Sequence, residues 1–133
     1  MLYPMFAMLL LTLTVGVILG RARFKAVAHK RINPKYFLTN RGYEVPQDLA
    51  QKERNFANLF ETPPLFYVGC TLALALNLES AGLLFTAWLY VVLRVAHSII
   101  HITYNNVYHR FFAFIGSLLT ILAIWLQVLL LAS

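Results

Sequence analysis

Charge is what this chain has least of: only 12% of its 133 residues are Asp, Glu, Lys or Arg, against roughly 25% in ordinary globular domains. With 60% hydrophobic residues, a soluble domain this short could not hide so much apolar surface in one core. A single cysteine, Cys70, excludes an internal disulfide, and its place in an apolar run reads as a small buried hydrophobe. The first apolar run lacks the basic n-region and the small-residue cleavage site of a secretory signal. Internal repeats and low-complexity tracts are also missing.

The few charges present are mostly basic and crowded together. The formal net charge is +6, and nine of the eleven Lys and Arg fall between Arg21 and Arg54, leaving Arg94 and Arg110 apart. Such a stretch can bind nucleic acid, but apolar runs flank it here, so it reads as a juxtamembrane loop. The expected partner is membrane lipid, with no nucleic acid.

The expected fold is all-α: an integral membrane four-helix bundle in one domain spanning 1–133. Four runs approach the roughly 20 residues needed to cross ~30 Å of hydrocarbon. Their expected bounds are 1–20, 47–78, 81–104 and 111–132, with a basic cytosolic loop over 21–46. Pro46-Gln-Asp suits a helix start, since proline fits the first turn and the acid complements the dipole. Pro63-Pro64 should kink the second span and free backbone carbonyls there. Asn77-Leu-Glu-Ser-Ala-Gly82 and Asn105-Asn-Val-Tyr-His-Arg110 are short links that make successive helices neighbours. Positive loops stay in the cytoplasm, which puts both termini on the opposite, non-cytoplasmic side.

Polar residues interrupt the greasy spans in two stripes. Arg54, Asn58 and Glu61 share one helical face, and Arg94, His97, His101 and Tyr104 mark another. Charges at membrane depth are costly, so they face one another or a wet cavity inside a bundle. At ~1.5 Å per residue, Arg94 lies ~18 Å from Gly82 and Glu61 ~25 Å from Leu78. His97 and His101 come at ~22 and ~28 Å from the same end, which brackets Glu61. A Glu61–Arg94 ion pair is therefore expected, because an unpaired charge at this depth costs several kcal/mol. Asn58 and Arg54 fall nearer the cytosol, so the pocket should open on that side.

Blander readings stand beside each of these. Arg54, Asn58 and Glu61 serve equally as packing glue between helices. His97 and His101, at i and i+4, have metal- or haem-ligand spacing, yet no carboxylate motif or second histidine pair accompanies them, and no metal is expected. Arg110 fits a positive-inside anchor, Tyr104 and Tyr108 an interfacial belt, and Trp88 and Tyr90 lipid-facing or packing positions.

Glu53-Arg-Asn-Phe-Ala-Asn-Leu-Phe-Glu-Thr-Pro-Pro-Leu-Phe66 resembles the signature of the MAPEG family, the membrane-associated proteins in eicosanoid and glutathione metabolism. The signature's Arg, Asn, Glu, Pro and Phe are Arg54, Asn58, Glu61, Pro64 and Phe66 here. Arg94-Val-Ala-His-Ser is similar to the family's third helix, and Arg110 falls where the prostaglandin E synthase branch carries its catalytic arginine. Arg21-Ala-Arg-Phe-Lys25 is similar to the basic end of the family's first helix. The resemblance implies a homotrimer binding glutathione between subunits near the cytosolic face, and a transferase or peroxidase acting on a lipophilic small-molecule substrate. It implies that Arg54, Asn58 and Glu61 hold the tripeptide, with Arg94, His97 and Tyr104 completing the wall. Arg21 or Arg23 would reach across from the adjacent subunit, and Arg110 would stabilise the thiolate, the nucleophilic form of the thiol. His101 and Thr62 stand where eicosanoid enzymes carry Tyr, which implies a divergent, bacterial-type member of a bacterial inner membrane. One branch of the family is non-catalytic, so a lipid-binding or scaffold protein of the same fold is the alternative.

Overall fold

The computed structural model describes residues 1–78 and 80–133, and Glu79 of the Asn77–Gly82 link lies outside the described residues. Six helices follow in order: α1 (Leu2–Ala28), α2 (Tyr36–Thr39), α3 (Gln47–Glu61), α4 (Pro63–Ala75), α5 (Ala81–Ile102) and α6 (Val107–Ala132). No strand occurs among the described residues. Three helices, α1, α5 and α6, are long and apolar enough to cross a membrane.

The bounds differ from the sequence expectation in instructive ways. The first helix does not stop at Gly20 but carries Arg21–Ala28 as further turns. Ala, Arg and Lys all favour helix, and no glycine or proline intervenes, so the change from apolar to basic ends the hydrophobic run without ending the helix. Termination comes at Lys30, which takes a left-handed φ of 54°. There the Arg31 N–H donates to the Ala26 carbonyl and the Lys30 N–H to the Val27 carbonyl, both at 2.9 Å, a Schellman ending. The basic connection is correspondingly shorter than 21–46.

The second expected span is two helices. Pro63 and Pro64 bring no N–H for the carbonyls of Leu59 and Phe60. The chain breaks at Thr62 (φ −100°, ψ −33°) and restarts with proline in the first turn of α4. Asn77 (φ 53°) then closes α4, with the Leu78 N–H donating to the Ala73 carbonyl at 2.8 Å. Helix α6 begins at Val107 rather than Phe111 because the Asn106 side chain accepts the His109 N–H at 3.1 Å and caps it. Arg110 therefore stands in the first turn of α6, not in a loop.

Helices in lipid gain from close approach rather than from hydrophobic burial. Gly69 on α4 shows this: a Cβ there would lie 3.1 Å from the Ile124 side chain of α6. Around it sit Phe66, Cys70, Ala73, Ala87, Tyr90 and Ile124, all without exposed surface. Phe66 stacks on Tyr90 with ring centroids 4.3 Å apart, which bolts α4 to α5. A second cluster at the basic end packs Leu19 and Ala26 of α1 against Ile32, Tyr36 and Leu49. Above it Arg23 donates to Glu53 at 2.8 Å, and the Tyr36 hydroxyl donates to the same carboxylate at 2.8 Å, tying α1, α2 and α3 together. Outward lie large apolar side chains such as Leu13, Phe85, Phe112 and Leu130, as expected of surfaces that face hydrocarbon.

Candidate functional site

Members of both polar stripes meet where α3 ends. Asn58 and Glu61 from α3, His97 from α5 and Arg110 from α6 line one cavity of about 230 Å³. Its remaining wall is apolar: Val107, Phe111 and Phe114. Glu61 is exposed, Asn58 and Arg110 are half-buried, and His97 is buried. One small space thus presents a carboxylate, a guanidinium, an amide and an imidazole beside an aromatic face.

Arg94 does not line this cavity and does not pair with Glu61. The expected ion pair is absent from the salt bridges among the described residues. Glu61 is the last residue of α3 and points outward, whereas Arg94 is wholly buried and its Nη2 donates to the Asn58 carbonyl at 2.7 Å. Arg94 thus takes a backbone carbonyl in the last turn of α3 in place of the expected carboxylate. Arg94 Nε and Nη1 have no partner, and the guanidinium carbon lies 5.9 Å from the centroid of the Phe114 ring. Arg94 therefore acts on the cavity through Asn58 and Phe114, both of which line it.

The corner between α5 and α6 fixes Arg110 from three sides. His97 Nδ1 lies 3.1 Å from the Arg110 carbonyl oxygen; the proton on Nδ1 makes that bond and leaves the Nε2 lone pair unpartnered. Asn105, in a left-handed conformation (φ 48°), presents Oδ1 to Arg110 Nη1 at 2.7 Å. His101 Nε2 is 3.4 Å from the same nitrogen. The His101 carbonyl accepts from the Gln51 side chain, which links α5 back to α3.

Other expected site residues lie elsewhere within the single chain. Tyr104 is 60% exposed and its hydroxyl meets His109 Nδ1 at 3.0 Å rather than the cavity. Arg54 is exposed on the α3 face one turn from Asn58 and does not reach the cavity wall. Arg23 is committed to Glu53. Arg21 is exposed and belongs to a different, cationic recess. Sequence reasoning missed Asn105, Gln51 and the pair Phe111 and Phe114. Phe114 follows Arg110 by four positions and follows Phe111 by three, helical spacings that a start at Val107 would have revealed.

Among the described residues no three His, Cys, Asp or Glu gather as metal ligands. His97 and His101 have ring centroids 5.7 Å apart.

The long apolar helices and the buried polar corner between them define an integral membrane protein of the helical class. Within that class the chain belongs to the MAPEG family, whose model matches residues 1–130. That family includes glutathione-dependent transferases and peroxidases as well as non-catalytic members. No curated protein and no solved structure matches the chain.

Proposed function

We propose that the chain is a glutathione-dependent membrane transferase or peroxidase acting on lipophilic electrophiles. The observation that carries this reading is the composition of the 230 Å³ cavity, whose lining combines Glu61 and Arg110 with Phe111 and Phe114. Glutathione has two carboxylates and an amine, so its site needs both signs of charge. Arg110 beside the sulfur favours the thiolate, because a neighbouring cation stabilises the charged form. The thiolate attacks an electrophilic carbon delivered from the lipid side, the new S–C bond displaces the leaving group, and the thiol proton passes to water.

In this reading α3 and α4 together make the fourth crossing, and three copies assemble so that a neighbour closes the open side of the cavity. Arg54, Tyr104 and Arg21 become useful only there, since within one chain they lie outside it. Arg21 suits the cross-subunit contact better than Arg23, which already holds Glu53. The basic loop faces the cytosol of a bacterial inner membrane, with both termini across the bilayer.

A second reading, non-catalytic lipid binding, is favoured by an apolar recess of about 670 Å³ between α1 and the α3–α4 break, lined by Leu2, Phe6, Leu9, Phe60, Pro64 and Tyr67. In the enzyme reading the same recess gives the electrophile its approach. The ultraviolet absorbance of a thiolate on adding glutathione separates the two. The enzyme reading requires a thiolate signal at neutral pH that Arg110→Ala abolishes. A protein that binds lipid but produces no thiolate signal belongs to the second reading.

A further inference from the structure

Away from this cavity, the outer groove between α1 and α3 holds a recess of about 310 Å³ lined by Ile18, Arg21, Ala22, Lys25, Arg31, Asp48 and Lys52. Four cations surround it against one carboxylate. Asp48 is already engaged: Arg31 donates to both its oxygens, at 2.5 and 3.3 Å, and Lys52 Nζ lies 3.9 Å away. Lys52 also donates to the Asp48 carbonyl at 2.9 Å. Neither Arg21 nor Lys25 has an ion pair among the described residues. These two sit at i and i+4 on α1, a spacing at which like charges repel.

The floor of the recess differs from its rim. Ile18 and Ala22 are half-buried, and Arg21 marks the end of the apolar run of α1. Leu10 and Val17, 47% and 55% exposed, precede Arg21 by eleven and four residues and share its face. A ligand seated here would meet cations at the membrane surface and apolar side chains directly below them.

We propose that this recess binds the phosphate group of an anionic phospholipid, with Lys25, Arg31 and Lys52 around the headgroup and an acyl chain along Val17 and Leu10. A phosphodiester supplies the negative charge that the single engaged carboxylate does not, and basic pockets between membrane helices on the cytoplasmic side recognise such headgroups. This goes beyond the glutathione reading and does not depend on it.

The test compares the full-length protein in nanodiscs of phosphatidylcholine with and without phosphatidylglycerol, reading thermal midpoint and the phospholipid that copurifies. Phosphatidylglycerol should raise the midpoint and be enriched around the protein. Lys25→Gln/Lys52→Gln should lower the enrichment of phosphatidylglycerol over phosphatidylcholine roughly thirtyfold, at the strength expected of two basic residues near an anionic surface. Lys35→Gln/Arg41→Gln removes the same charge from exposed loop positions and should leave the selectivity intact, which also controls for folding. Equal midpoints in the two lipids, or equal losses in the two double variants, would overturn the site. Inorganic phosphate is the last arm: an equal rise with phosphate alone would overturn the lipid as its source, and no response to it supports the lipid.

Discussion

A guanidinium without exposed surface, as at Arg94, carries a desolvation cost that one carbonyl acceptor offsets only in part. Burying an unpaired charge is unfavourable, so an apolar side chain of similar volume removes that cost. Arg94→Met should therefore keep the fold, with a thermal midpoint at or above wild type, while weakening glutathione affinity about tenfold through the lost hold on Asn58. Calorimetry beside a thermal scan would read both; a collapsed fold would show that Arg94 is structural mortar alone. Asn105 allows a finer experiment, because its left-handed backbone and its acceptor oxygen can be separated. Asn105→Gly tolerates φ 48° but lacks the acceptor, whereas Asn105→Asp retains both. The glycine variant should raise the thiol pKa of bound glutathione through lost positioning of Arg110, and the aspartate variant should raise it by placing a carboxylate against that cation. A pH titration of thiolate absorbance in the two variants decides it. At this scale the sequence was legible wherever chemistry is carried by residue type and helical spacing, as for Asn58, Glu61 and His97. It was not legible where partners are backbone atoms, as for Arg94 on the Asn58 carbonyl.

Among the elements, the apolar runs showed where helices lie but not where they end. The end of α1 depends on a Schellman turn at Lys30 and the start of α6 on a cap from Asn106, and neither changes the hydrophobic pattern. Pro63-Pro64 did announce the interruption of the second span, since two missing N–H donors leave little alternative. Restoring them should straighten the element: Pro63→Ala/Pro64→Ala is expected to shift Asn58 and Glu61 relative to α5 and to weaken glutathione binding. Faster amide exchange at the break in wild type than in the variant would show that the helix had closed. The basic end of α1 offers a pH test. Arg31, through its hydrogen bond, holds the Asp48 carboxyl below the usual carboxylate range. A lowered folded-state pKa means the clamp contributes fully above the ordinary value and is lost as pH falls through the folded one. Amide protection factors at the Ala28 and Gln47 ends, with the intrinsic pH dependence of exchange divided out, should be steady near neutral pH and fall only under acid conditions, and Asp48→Asn should remove that dependence.

For the molecule as a whole, charge asymmetry governs placement. In the proposed orientation, the positive-inside rule would put the loop between α1 and α3 in the cytosol, together with the mouth of the polar cavity, where a water-soluble tripeptide would be available. Cys70 has no exposed surface, so cysteines introduced one at a time can report sidedness against little background. Arg41→Cys should react with an impermeant maleimide only from the cytosolic side, and Ser133→Cys only from the other. The proposed assembly would give a glutathione-binding role to Arg54, Tyr104 and Arg21, which lie outside the cavity of a single chain. The most direct measurement is a calorimetric titration of the purified wild-type protein with glutathione. The account predicts saturable binding at or below millimolar concentration that Glu61→Gln weakens; no heat of binding in that range would contradict it.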